Sequence, residues 1–240
     1  MKSLKIFYIY HSCFVVETEK HLLVFDYYKT PLKTDIDDIS LIDIVSKSLK
    51  KVIVFSSHGH YDHFNKDILN WKNENYDLTY ILSSDILLDG DIKNCYQMSE
   101  GEKLNLGEMT IKAYGSSDLG VSFLVEVDEV KIFHAGDLNW WYWKDDTEAE
   151  EKYMRELYTG IVEKIRVNKE IDVAFFPVDP RLEEFCYLGS EYFAENIKPK
   201  FMIPMHFDEN FYVSTELKKR VKKYDVDVIE IFRTNFLIEI

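Results

Sequence analysis

Short apolar runs separated by polar turns dominate the first third of the chain. "LKIFYIY" (Leu4–Tyr10), "CFVVET" (Cys13–Thr18) and "HLLVFDYY" (His21–Tyr28) combine alternation with β-branched and aromatic residues, which predicts three strands. In "DISLIDIVSKSL" the residues Ile39, Ile42, Ile44 and Val45 fall at helical spacing. "KKVIVFSS" reads as a fully buried strand, "HFNKDILNWKN" as a short helix and "DLTYILSS" as another strand. From Met98 to Ile132 the pattern predicts antiparallel strands, "EKLNLGEMTIKAYG" and then "VSFLVEVDEVKIFHAGD". Gly107 and the pair Asp128-Glu129 supply the turns.

The character then changes. "TEAEEKYMRELYTGIVEKIRVN" places Tyr153, Leu157, Ile161 and Ile165 four apart on one helical face. "IDVAFFPV" is a buried strand. "GSEYFAENI" is a helix with Ser190 as its expected N-cap, ending before Pro199. "KFMIPMHF" is a strand that ends in His206, "TELKKRVKKY" a helix, and "VDVIEIF" and "FLIEI" the closing strands. Each half thus passes from antiparallel strands to an alternation of helix and buried strand. The pattern predicts an α/β fold: two mixed β-sheets, each covered on its outer face by helices, in a four-layer αββα sandwich. No linker or low-complexity run interrupts the 240 residues, so residues 1–240 are expected to form a single domain.

Composition narrows the partners. The chain has 29 basic and 43 acidic residues and a formal charge of −14. A nucleic-acid face needs concentrated Lys and Arg. The one basic cluster, "LKKRVKK" (Leu217–Lys223), falls late in a predicted helix, where cations complement the helix dipole. No nucleic-acid partner is therefore expected. No apolar stretch approaches the roughly 20 residues of a membrane span. "MKSLKIFYIYHSCFVVE" is interrupted by Lys5 and His11 and lacks a small-residue cleavage site, so a cytoplasmic location is expected. Cys13, Cys95 and Cys186 are far apart and odd in number, which fits core or half-buried thiols rather than disulfides or a thiolate zinc site.

The chemistry concentrates in "SSHGHYDHFN" (Ser56–Asn65). Three of the seven histidines, His58, His60 and His63, stand there with Asp62 at the exit of an apolar run. Imidazole is a common ligand of zinc and related first-row ions. Residues i and i+2 of an extended segment point the same way, so His58 and His60 can grip one ion. A turn after Gly59-His60 would face Asp62 and His63 to a second. Such a cluster suits two divalent ions about 3.5–4 Å apart. Asp137 and His206 also fall just after predicted strands, where rigid supports can hold a site.

"HGHYDH" resembles the HxHxDH signature of the metallo-β-lactamase fold superfamily. "IFHAGDL" resembles the motif whose aspartate, here Asp137, bridges two metals, and "FMIPMHF" the strand that delivers the last histidine, here His206. "YHSCFVVE" followed by "LLVFDYY" is similar to the opening strands of the branch that holds ascorbate-6-phosphate lactonase-like and N-acyl-phosphatidylethanolamine phospholipase D-like proteins. The resemblance spans nearly the whole chain in the right order. It implies metal ligands His58, His60, Asp62, His63, Asp137 and His206. It implies two divalent ions, zinc first and manganese or iron as alternatives, with Asp62 and Asp137 orienting the attacking water.

One departure stands out. The family usually supplies another histidine between its first motif and the Gly-Asp motif. "AYGSSDLGVSFLV" (Ala113–Val125) has none. Three readings stay open: Asp118 is a ligand, Ser116 or Ser117 holds a metal-bound water, or the first position is incomplete. An oxygen donor would shift preference from zinc towards manganese or iron. His134 reads as a core histidine or a support behind a ligand, and His11 as a satisfied structural histidine near the site. His21 is expected at the surface. The resemblance gives Asp26 the task of orienting a ligand histidine through its free ring nitrogen. "LNWWYW" (Leu138–Trp143) holds three of the four tryptophans. Trp140 and Trp141 either wall a substrate pocket or plug a core or oligomer contact. Arg181 either recognises an anionic substrate group or pairs with Asp179.

The expected function is metal-assisted hydrolysis of an ester, lactone or phosphodiester of a small molecule. The alternative is a sensor or scaffold that binds metal or ligand without turnover. A redox iron site is disfavoured: the oxygen-reducing members carry Glu where this chain has His60, with an attached flavodoxin-like domain for which the chain has no room.

Overall fold

The computed structural model describes residues 4–31, 40–168 and 170–240. Two seven-stranded sheets carry the fold. The first contains β1 (Lys5–Tyr10), β2 (Cys13–Glu17), β3 (His21–Phe25), β4 (Lys51–Ser56), β5 (Thr79–Ser83), β6 (Cys95–Met98) and, returning from the C-terminus, β14 (Phe236–Glu239). The second contains β7 (Lys103–Leu106), β8 (Met109–Gly115), β9 (Val121–Val127), β10 (Val130–His134), β11 (Val173–Pro177), β12 (Phe201–Met205) and β13 (Asp227–Val228). Their orders, β14-β1-β2-β3-β4-β5-β6 and β13-β12-β11-β10-β9-β8-β7, are alike in plan. In each, β1–β3 or β8–β10 pair antiparallel and the strands that follow pair parallel.

Strand alternation decides the layers. In β2, Phe14 and Val16 face the other sheet, while Cys13 and Val15 face α1 (Leu41–Lys47). In the interior, Phe14 stacks on Phe175 of the facing sheet at 4.1 Å, and Phe25 on Phe55 of its own sheet at 4.7 Å. Each fully buried Phe contributes about 1.5–3 kcal/mol. The outer face of the second sheet is covered by α2 (Glu148–Arg166), α3 (Leu188–Ile197) and α4 (Tyr212–Val221). The predicted sandwich of two mixed sheets with flanking helices is what the chain forms. None of its described helices is long and apolar enough to cross a membrane.

Several local expectations differ. Tyr153 is 66% exposed, because the stripe that α2 buries runs through Tyr158, Ile161, Val162 and Ile165. Ser190 is not the N-cap of α3, which starts at Leu188. Its hydroxyl donates to the Tyr187 carbonyl from inside the first turn. "HFNKDILNWKN" forms only a 3-10 turn, Lys66–Asn70, capped by the Asn65 side chain. "VDVIEIF" contributes two residues to the sheet, since Ile231 turns into the core and Glu230 is held by Thr215 and Lys218. Ile39 lies outside the described residues. The cysteines are free, two buried and Cys95 half-buried.

His21, expected at the surface, is buried and ties the sheets together. The β9–β10 turn has positive φ at both central residues, Asp128 (49°) and Glu129 (66°), as a two-residue hairpin requires. This aims the Asp128 carboxylate at the β2–β3 turn of the other sheet. It accepts from Thr18 Oγ1 at 2.6 Å, the Lys20 amide at 2.8 Å and His21 Nδ1 at 3.0 Å. Burial alone would raise the Asp128 pKa, but these hydrogen bonds outweigh it and hold the group at about 2.

A depressed carboxylate stabilises the fold above its unfolded pKa, and the effect is lost as pH falls through the folded value. Asp128→Asn keeps a residue tolerant of positive φ and removes the charge. It is expected to cost about 1–2 kcal/mol at pH 7. The gap to wild type should narrow as pH is lowered from 5 towards 3. Urea unfolding of both proteins across that range checks this, and a gap that stays constant would refute the account.

Candidate metal centre

The site forms where strand ends of both sheets meet. Asp26, just past β3, is fully buried with φ of 45°. Its Oδ1 accepts the Ser57 amide at 2.7 Å, and its Oδ2 accepts Ser57 Oγ at 2.6 Å and His63 Nδ1 at 2.7 Å. The Ser57 hydroxyl, its proton committed to Asp26, takes the Nδ1 proton of His58 at 3.0 Å. In neutral rings, Nε2 of His58 and of His63 is therefore the unprotonated nitrogen. The backbone turns at His60, whose carbonyl accepts the amides of His63 and Phe64.

The second sheet supplies the other wall. Asp137 follows β10 and Gly136. Its Oδ1 lies 3.1 Å from His63 Nε2 and 3.3 Å from His206 Nε2, and its Oδ2 lies 3.4 Å from His58 Nε2. His206 follows β12 with φ of 64°, and its amide donates to the carbonyl of His11, which has φ of 56°. The two rings stand 4.1 Å apart between centroids. His11 Nε2 approaches Asp62 Oδ2 at 3.6 Å.

The ligand-type atoms form three overlapping groups, each within 4.8 Å: His11, Asp62, His63 and His206; His58, His63 and Asp137; His60, Asp118 and Asp137. His11 Nε2, His63 Nε2, His206 Nε2 and Asp137 Oδ1 are buried without a hydrogen-bond partner. Buried polar atoms left unsatisfied cost about 1–3 kcal/mol each, and a cation held among them would relieve that cost. The chemistry of the donor set, imidazoles and carboxylates, fits a first-row divalent ion.

Electrostatics agree with that fit. Burial opposes protonation of His63, yet Asp137 and Asp26 hold its pKa well above the ordinary imidazole value. Burial would push the Asp137 carboxyl up, but His63 and His206 hold it well below the carboxylate range. Burial lowers the His11 pKa, against the pull of Asp208. The negative field of Asp137 and Asp26 that raises the His63 pKa also attracts a cation.

Other expected residues take specific places. His134 is buried, stacked on Phe25 at 5.0 Å, with Nε2 donating to the Ser12 carbonyl at 3.0 Å. It supports the floor and is in none of the three groups. Ser117 Oγ accepts the Asn139 amide at 2.9 Å and is 3.4 Å from the Asp137 carbonyl, so it fixes the loop that carries Asp137. Ser116 Oγ accepts the Asp118 amide at 3.3 Å. Asp118 Oδ2 lies 3.7 Å from His60 Nδ1, both half exposed.

A cavity of about 460 Å³ opens over these groups, walled by Trp141, Trp143, Met154 and Arg181. Trp140, offered with Trp141 as a pocket wall, packs instead on Tyr158 and Tyr192 beneath α2 and α3. The Trp141 and Trp143 rings lie nearly parallel, 6.4 Å apart between centroids, and share the cavity side. Arg181 forms the local ion pair with Asp179. Asp179 and Asp208, neither foreseen as part of the metal site, stand behind the rings. His206 Nδ1 donates to Asp179 Oδ2 at 3.1 Å and His11 Nδ1 to Asp208 Oδ1 at 2.9 Å. The sequence signal for both was a carboxylate within a few residues of a strand end.

Residues 5–206 match the family described as a beta-lactamase superfamily domain. The chain belongs to that family. Among its relatives, the UPF0173 metal-dependent hydrolase YtkL of Bacillus subtilis is 25% identical over 227 residues, covering 85% of this chain and 86% of that protein. A UPF0173 metal-dependent hydrolase of Methanosarcina barkeri is 26% identical over 247 residues, covering 95% of this chain and 96% of that protein. The structure of Igni18, a metallo hydrolase of Ignicoccus hospitalis, superposes with a TM-score of 0.67 at 18% identity, over 100% of this chain and 99% of that one. It shares the fold.

Two glycines press against the histidine turn. A Cβ on Gly120 (φ 73°) would stand 2.2 Å from the Ser57 carbonyl oxygen and 2.5 Å from His58 Cβ, and one on Gly136 (φ 54°) 2.6 Å from Ser57 Cβ. Gly107 (φ 61°) has open space. Gly107→Ala is expected to cost about 1 kcal/mol, for its backbone alone. Gly120→Ala is expected to cost about 2–4 kcal/mol by adding the clash. Chemical denaturation of both variants checks this, and equal losses would refute the close-approach argument.

Proposed function

We propose that this protein is a metal-dependent hydrolase that cleaves an ester, lactone or phosphodiester of a small molecule. The observation that carries the reading is the convergence of buried, partnerless His11, His63, His206 and Asp137 atoms beneath an open cavity. In this reading His58, His60, Asp62, His63, Asp137 and His206 hold two divalent ions, zinc first, with manganese or iron favoured where Asp118 adds an oxygen donor. Bound ions would supply Lewis acidity and acidify the attacking water.

The remaining work falls to the chain. Asp137 lies between the two histidine groups, and Asp62 stands on the cavity side, so their carboxylate oxygens orient the attacking water by accepting its hydrogen bonds. Trp141 and Trp143 shield the site from bulk water and offer flat apolar surface to the leaving part of the substrate. The cavity volume of about 460 Å³ suits a small molecule. The likeness of the opening strands to the lactonase-like and phospholipase D-like branch supports esters of carboxylic or phosphoric acid. A site assembled from both sheets supports reading residues 1–240 as one domain.

The test is turnover on a panel of generic esters, lactones and bis-phosphodiesters with chelated and metal-reloaded protein. Turnover is expected only with metal. It should fall in Asp62→Asn on the order of 10²–10⁴-fold and vanish in His58→Ala. Metal-loaded protein that hydrolyses nothing in the panel would favour the sensor or scaffold reading instead.

A further inference from the structure

The geometry points to two cation positions of unequal strength: a closed, tight one built on His11, Asp62, His63 and His206, and an open, exchangeable one on His58, His60 and Asp118. Asp137 is shared between them. This rests on the metal site proposed above and adds His11 to it as a ligand.

Ring fixation favours the closed position. Each imidazole of the closed group has a carboxylate on its far nitrogen: Asp208 behind His11, Asp26 behind His63 and Asp179 behind His206. Such partners set the tautomer, hold the ring in place and raise its basicity, and their removal costs about 10–100-fold in metal affinity. His60 has no such support among the described contacts. Its Nδ1 lies 3.0 Å from His58 Nε2, whose lone pair it occupies, so a cation entering there must first break that hydrogen bond.

Burial favours it too. His11, His63 and His206 are at most 6% exposed, and their Nε2 atoms are buried and unpartnered. The side chains of His60 and Asp118 are 47% and 48% exposed. Before any ion binds, the three imidazoles of the closed group have already given up the hydration of their donors; His60 and Asp118 have not. Ordering two half-exposed side chains also costs conformational entropy that the closed group has spent on folding.

The donor sets differ as well. Three imidazoles with a carboxylate suit zinc. Two imidazoles with Asp118 and the shared Asp137 shift the balance towards harder ions such as manganese.

Chelator-stripped full-length protein, titrated with Zn²⁺ and separately with Mn²⁺ in a calorimeter, tests this. One equivalent of Zn²⁺ is expected to bind tightly and a second at least about 100-fold more weakly, twice as many decades as the lower bound for one lost support. Asp208→Asn should weaken the first step about 10–100-fold and leave the second in place. His11→Asn should do the same or more; Asn tolerates the positive φ at this position, and Asp208→Asn decides the matter if His11→Asn does not fold. Asp118→Ala should remove the second step and spare the first. Asp118→His should tighten Zn²⁺ at the second step more than Mn²⁺. Two equal binding steps, or a first step untouched by Asp208→Asn, would overturn the inference. Turnover plays no part in this titration. Two unequal steps without hydrolysis would refute the hydrolase reading alone, and an active enzyme with two equal sites would refute this inference alone.

Discussion

A carboxylate taken wholly out of water is tolerable only when its lone pairs are engaged by donors, and the site hangs on one such group. Asp26 accepts two hydrogen bonds from Ser57 and one from His63. Through the Ser57 hydroxyl it also dictates the His58 tautomer. One buried charge thus leaves Nε2 of two imidazoles unprotonated and facing Asp137. It also locks the end of β3 to the end of β4, so the geometry of the motif is set before any ion arrives. Burial would raise the Asp26 pKa; His134 and His63, with the hydrogen bonds, bring it below the ordinary value instead.

The backbone around the site is held in costly conformations. His11, Asp26, His206 and Asp208 all have positive φ. Such residues cost on the order of 1–3 kcal/mol each and persist only when their surroundings over-determine them. Here the surroundings are the two sheets. The aromatic stack of Phe14, Phe25, Phe55 and Phe175 lies directly beneath the strand ends that carry Asp26, Ser57 and His58. The backbone bond from the His206 amide to the His11 carbonyl joins one sheet's rim to the other's. A hydrophobic interior that far exceeds the strain lets the chain keep these four residues in poor conformations.

Much of this was legible in the sequence, and the misses share a cause. The period of apolar residues gave the strands and the layering, because strand burial is decided by immediate neighbours. "HGHYDH" revealed its chemistry because its donors are adjacent in sequence. Asp137 and His206 were legible through short motifs of their own. What stayed hidden depends on contacts across the fold. His11 reaches Asp208 over 197 positions, and His21 reaches Asp128 over 107. No local pattern records such pairings. Trp140 and Trp141 are chemically identical in the sequence, and only the direction of the loop sends one to the helices and the other to the cavity.

Arg181 shows how the same distance between sequence and structure changes a chemical role. Alone, an arginine in a loop beside a metal motif suggests an anion receptor. In the fold, its Nε and Nη2 both serve Asp179, and Asp179 in turn holds His206. Burial would raise the Asp179 pKa, but His206 and Arg181 keep it at about 2, so the carboxylate stays charged and the ring stays oriented. A guanidinium committed in this way is first a strut of the metal site. With Asp62, Asp118 and Asp137 also lining the cavity, its field on the substrate is dominated by carboxylates until cations neutralise them. An anionic substrate would then be drawn in by the bound metals more than by Arg181. In the hydrolase reading proposed above, loading with metal would therefore precede the binding of an anionic substrate, for an electrostatic reason.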